Sequence, residues 1–144
     1  KKYIKMSLYY NKVRRKNLKD PEGPKLWYPV LRSIGYMEDK ELADRIAETT
    51  SLNPRDTLTV VYQMQKVMKD IMLHGRSIRL SDFGYYRLTI NATGVNTLEE
   101  VTTDLIKRVN IRYQPLDQFK YDLNKATFIP METLYDSTDV EEEG

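Results

Sequence analysis

The sequence predicts an α+β fold in which two helices, a three-stranded antiparallel sheet and a short final helix follow one another, with a β-hairpin ahead of them. Three observations predict it. Apolar and polar residues alternate through three short segments between positions 77 and 113, the two-residue period of a half-buried strand. Residues 54–74 instead repeat apolar side chains at helical intervals, bracketed by Asn53-Pro54 and by Gly75. Residues 7–34 hold two extended runs about Asp20, Pro21, Glu22 and Gly23, the composition of a type I turn whose second position is preset by proline.

In chain order, the hairpin comes first, with runs over 7–16 and 25–34. Its first run sets Lys12, Arg14 and Lys16 on one side and Tyr9 and Val13 on the other, and Pro29 confines the second run to an edge or a bulge. The basic stripe suits phosphates spaced along a backbone, and equally suits lysines that protect an exposed edge. A short helix follows over 38–50, where Leu42 and Ile46 lie one turn apart and Glu38, Asp39 and Glu41 favour its positive end.

The second helix starts after Asn53, a good N-cap, with Pro54 at its first position, and runs to His74, with Gly75 as its terminating residue. Its apolar side chains, among them Leu58, Val60, Val61, Met64, Val67, Met68, Ile71 and Met72, cover too much of the circumference for a helix with one wet side. One short helix and one small sheet cannot cover them all, so a second copy of the chain is expected to do so. The methionines fit as flexible core filler. Residues 77–90 make two strands about Ser81, Asp82, Phe83 and Gly84, and 106–113 make the third. Between them, 91–110 form an insert in which Leu98, Val101 and Leu105 have helical spacing. Pro115 stops the last strand, and a closing helix over 117–125 carries Phe119 and Leu123.

The alternation assigns faces. Ile78, Leu80, Tyr86, Leu88, Ile90, Val109, Ile111 and Tyr113 take inward positions, so their neighbours point outward: Ser77, Arg79, Tyr85, Arg87, Thr89, Arg108, Asn110, Arg112 and Gln114. Four arginines share that outer face with no carboxylate. Such a surface suits a polyanion. Charge along the chain agrees: residues 1–35 hold ten Lys or Arg against two acids, 36–125 hold thirteen of each, and 126–144 hold six acids and no base.

This order of elements, from about residue 38 to 126, resembles the HU and IHF family of bacterial histone-like DNA-binding proteins. Gly75, Ile78, Leu80, Phe83, Gly84 and Tyr86 match the family's Gly, apolar, apolar, Phe-Gly, aromatic signature, and Pro115 before the final helix has a counterpart. The hairpin ending in Lys25, Leu26, Trp27, Tyr28 and Pro29 resembles a divergent HU-related subgroup with extra N-terminal strands. The resemblance implies a two-helix N-terminal core, a sheet with a projecting arm, and an intertwined homodimer whose sheets form a saddle for duplex DNA. It implies phosphate contacts by the outward Arg79, Arg87, Arg108 and Arg112, with Lys107 on the arm and Lys12, Arg14 and Lys16 on the hairpin assisting, and little sequence readout. The chain departs from the family in its arm: 91–110 lack the proline that wedges between base pairs, and set Lys107 and Arg108 against Glu99, Glu100 and Asp104. Leu98 or Val95 could take the wedge's place, with core contacts the expected use of both.

The domain division that follows is a hairpin extension over 1–35, an HU-like domain over 36–130 and an acidic disordered tail over 131–144. Expected partners are duplex DNA and a second copy; no membrane, small-molecule substrate, metal or cofactor is expected. No run of eighteen apolar residues or signal peptide is evident, and the absence of cysteine fits a reducing compartment, so a cytoplasmic, nucleoid-associated protein is expected. Catalysis is not expected: His74 is the only histidine and suits a helix C-terminus, and no phosphate-binding glycine loop is present. In the pairs Tyr9-Tyr10 and Tyr85-Tyr86, one ring of each could stack on bases while the other faces the core. The alternative is an HU-like dimer that has lost DNA and serves as a protein-interaction or regulatory module.

Overall fold

Asn53 opens the longest element of the molecule as a side-chain cap: its Oδ1 accepts from the Asp56 backbone N–H at 2.9 Å in the computed structural model, which describes residues 7–133. The contacts divide the described residues into two compact units, one formed by Met37–Leu123, the other by residues 7–36 together with 124–133.

In the first unit, α1 (Asp39–Glu48) lies against α2 (Pro54–Leu73). Ala43 of α1 and Thr57, Val61 and Met72 of α2 are buried, and Gln65 Nε2 donates to Asp39 Oδ1 at 2.8 Å to tie the two helices. α2 ends where Gly75 was expected to end it. Gly75, at φ +90°, donates to the Met72 carbonyl and Arg76 to the Ile71 carbonyl, the paired bonds of a Schellman terminus. His74 occupies the C-cap, its Nδ1 2.7 Å from the Asp70 carbonyl.

β3 (Ile78–Leu80), β4 (Gly84–Ala92) and β5 (Ile106–Pro115) form an antiparallel sheet in that order. Glycine is required at position 84: a Cβ there would run into the Tyr113 ring and stand 2.9 Å from the Gln114 carbonyl oxygen. That close approach lets Tyr113 donate its hydroxyl to the Phe83 carbonyl at 2.9 Å. Phe83, Tyr86, Tyr113 and Phe119, the last brought by α3 (Asp117–Asn124), pack with ring centroids 5.1 to 6.5 Å apart. Burial in this cluster, and then the neighbouring Tyr113, raise the Tyr86 hydroxyl above the ordinary tyrosine range.

The second unit is a sheet of order β2-β1-β6, in which β1 (Leu8–Arg15) pairs antiparallel with β2 (Leu26–Arg32) and parallel with β6 (Phe128–Pro130). The expected turn is present, with Gly23 N–H bonded to the Asp20 carbonyl at 3.1 Å. β6 was not foreseen. The boundary drawn at 130 therefore differs from the division of contacts, because residues 128–130 belong to the hairpin's sheet. Apart from Met131, Glu132 and Thr133, the acidic tail lies outside the described residues.

The helical spacing in the insert after β4 is realised as two single 3-10 turns, Leu98–Glu100 and Thr103–Leu105, with Thr93 bonded to the Leu105 carbonyl at their base. One local expectation changes. Leu98 is 83% exposed, so the core role expected for it is not the one it has in this chain. The core itself is thin. Among described apolar residues only Ala43, Val61 and Met72 are buried, whereas Val60, Met64 and Val67 along one stripe of α2 and Ile90, Val109 and Ile111 on one sheet face are exposed. No helix among the described residues is long and apolar enough to cross a membrane.

Candidate nucleic-acid interface

Cross-strand partners share a face, so the register of β3-β4-β5 locates the arginines. Arg79 pairs with Tyr85 and Tyr85 with Gln114, Arg87 pairs with Arg112, Thr89 with Asn110, and Asn91 with Arg108. Residues 85, 87, 89 and 91 alternate with the inward set on β4, as do 108, 110, 112 and 114 on β5. All four arginines thus lie on one face, as the alternation predicted. The opposite face carries Ile78, Tyr86 and Tyr113 in one row, Leu88 and Ile111 in the next, and Ile90 and Val109 beyond.

Arg87 and Arg112 stand directly opposite each other. In such a pair the Cβ atoms are roughly 5 Å apart and like charges repel. None of the four guanidinium groups takes part in an ion pair among the described residues, and all four residues are exposed. Arg79 lies over the Tyr85 ring at 5.7 Å, which orients its guanidinium without neutralising it. Asn91, not foreseen as a face residue, is bonded through Oδ1 to Asn110 Nδ2 at 2.5 Å and steadies the outermost row. Continuing the alternation by one more pair would have found it.

Lys107 departs from this arrangement. The register shifts between Asn91 and Ala92, whose partners are Arg108 and Ile106, so Lys107 is the skipped residue of a bulge and has no place in the arginine rows. The hairpin stripe also differs from expectation. Lys12 and Arg14 share a face of β1, but Lys16 lies beyond the strand's last residue, Arg15. Lys12 Nζ bonds Glu132 Oε1 at 2.8 Å, and this hydrogen bond and charge raise the lysine above its ordinary value. Arg14 lies over Trp27 at 6.0 Å. The alternation correctly put Tyr9 and Val13 on the other side, but nothing local announced Glu132 as a partner 120 residues away.

Two helices, a Schellman-terminated α2, a Phe-Gly turn and an antiparallel sheet with an extended insert define an HU-like domain. Residues 6–130 match the family model of the HU domain fused to a wHTH, Ig or glycine-rich motif, and the chain belongs to that family. The fold is similar to a crystal structure from Bacteroides vulgatus ATCC 8482, described as a candidate bacterial DNA binding protein, at TM-score 0.60 and 11% sequence identity over 88% of this chain. The chain spans about half, 49%, of the length of that structure. No curated protein matches the chain.

Proposed function

We propose that this chain is a histone-like DNA-binding module that holds duplex DNA by its phosphates, with little sequence preference, through the arginine face of the β3-β4-β5 sheet. The observation that carries the reading is the Arg87–Arg112 pair. Two like charges placed directly opposite, with no carboxylate on their face, cost stability unless an anion lies over them, and a phosphate backbone supplies closely spaced anions. Arg79 and Arg108 extend the row in both directions. The functional unit is a homodimer, because the exposed stripe of Val60, Met64 and Val67 and the exposed inner face of Ile90, Val109 and Ile111 need cover that one chain does not supply. The hairpin extension supports the reading of a divergent HU-related subgroup. It has no catalytic role, and its absence of cysteine supports a cytoplasmic place at the nucleoid.

Titration of duplex DNA at several salt concentrations tests this. A log-log slope of about −4 to −7 per dimer is expected, from roughly five to eight phosphate contacts at about 0.9 each. A flat curve would instead favour a protein-interaction module, a reading supported by the arm's 3-10 turns, which present Glu99, Glu100 and Asp104 where a DNA-gripping arm would present cations.

A further inference from the structure

The outer face of the β2-β1-β6 sheet is built unlike the arginine face. The register puts Leu8 beside Phe128, Tyr10 between Leu31 and Pro130, Lys12 beside Pro29, and Arg14 beside Trp27, all on one side. An open depression of about 870 Å³ runs over this side, with Tyr10, Lys12, Trp27, Leu31 and Phe128 in its lining. Trp27 is 68% and Phe128 60% exposed. Large flat rings left in water on a sheet call for a partner.

We propose that this face binds single-stranded nucleic acid, with Trp27, Tyr10 and Phe128 stacking on bases and Lys12 and Arg14 on the phosphates between them. Three features favour that occupant. The rings fall on rows that repeat the two-residue strand step of about 6.6 Å, one step from Phe128 to Tyr10 and two from Tyr10 to Trp27, so an extended strand meets them in turn. Lys12 lies on β1 between the rows of Tyr10 and Trp27, and Arg14 lies level with Trp27, over its ring at 6.0 Å; an apolar protein partner would strip both cations of water without replacing it. The surrounding sequence is itself polyanion-seeking, with ten basic residues against two acids over positions 1–35. Bases in a duplex are stacked on one another and cannot lie on these rings, so the strand is single. Glu132 occupies Lys12 in the free protein and is displaced as phosphate arrives.

Trp27 is the only tryptophan, which makes the site self-reporting. The full chain is titrated with oligothymidylate and, separately, oligouridylate of about twelve nucleotides, a length within the usual site sizes. Saturable quenching of Trp27 is expected, and comparing the two oligomers tells whether the 2′-hydroxyl is read. Phe128→Ala and Tyr10→Ala should each weaken binding by at least about fivefold, with the circular dichroism unchanged. Phe128, the more exposed of the two, keeps the test valid if Tyr10→Ala unfolds the sheet. Arg87→Ala with Arg112→Ala should leave quenching intact, which separates this site from the duplex site: loss of duplex binding with quenching retained supports both assignments, and loss of both together overturns this one. Trp27 fluorescence indifferent to both oligomers also overturns it. So does a change in oligomeric state on Trp27→Ala, which would mark the face as a contact between copies of the chain.

Discussion

Both sheets of this protein have three strands and an excess of positive charge, yet they are built for different contacts. On β3-β4-β5 the outward side chains are guanidinium, amide and hydroxyl groups around one half-buried tyrosine, with two arginines set against each other. On β2-β1-β6 the cations are fewer, one is neutralised by Glu132, and the face is mostly ring and aliphatic surface. Repelling, unpaired charges make a floor that gains most when an anion arrives. A mixed face gains from flat apolar groups and charge together. Basic content alone would have scored both as the same kind of surface.

The comparison can be broken most decisively through the proposed dimer. Met64→Glu sets a charge in the exposed α2 stripe, and desolvating it should cost about 3 kcal/mol or more, a hundredfold or greater loss of dimer by sedimentation. A dimer that survives would mean the stripe is not the interface. Next in size is Arg87→Ala with Arg112→Ala, which removes four phosphate contacts per dimer and should reduce the magnitude of the salt slope by about 3 to 4. The same variant should be no less stable than the parent, since it relieves repulsion. Gly84→Ala, which forces a methyl group into the Tyr113 ring, should lower unfolding stability by about 1 to 3 kcal/mol while leaving the hairpin's sheet intact.

Smaller effects sharpen the contrast. Glu132→Gln frees Lys12, so oligothymidylate binding at low salt should tighten about two- to threefold with duplex affinity unchanged, the small effect expected of a solvent-exposed pair. The smallest effect concerns pH. Tyr86 holds its proton more tightly folded than unfolded, so its contribution is fully present below the ordinary tyrosine value near 10 and is lost as pH rises through the higher folded value. Tyr86→Phe should flatten the alkaline limb of a stability-against-pH curve, and an unchanged limb would assign that loss to other groups.

Much of the helix-and-sheet unit was legible because its signals are local. Asn53-Pro54 and Gly75 fix both ends of α2 through backbone chemistry any chain obeys, and a two-residue period leaves no freedom about which side Arg87 or Arg112 takes. What escaped was set by distant or irregular pairing. Three residues, Phe128–Pro130, have no pattern of their own and become a strand through β1. Lys107 was expected to assist from the arm, but it stands in a bulge that takes it out of the arginine rows. Leu98 had helical spacing with Val101, and the chain around it forms turns too short to hide a leucine. The thin core of the single chain follows from the same cause: the periodicity of α2 announced that it needs cover, not where that cover comes from.

The parallel bond of β6 to β1 has a consequence for synthesis. A ribosome releases the hairpin first, then everything from Met37 to Leu123, and only afterwards the short strand that completes the hairpin's sheet. That sheet therefore stays unfinished, with the β1 edge open, throughout translation of the intervening unit, and its third strand joins only across the longest strand-pair separation among the described residues.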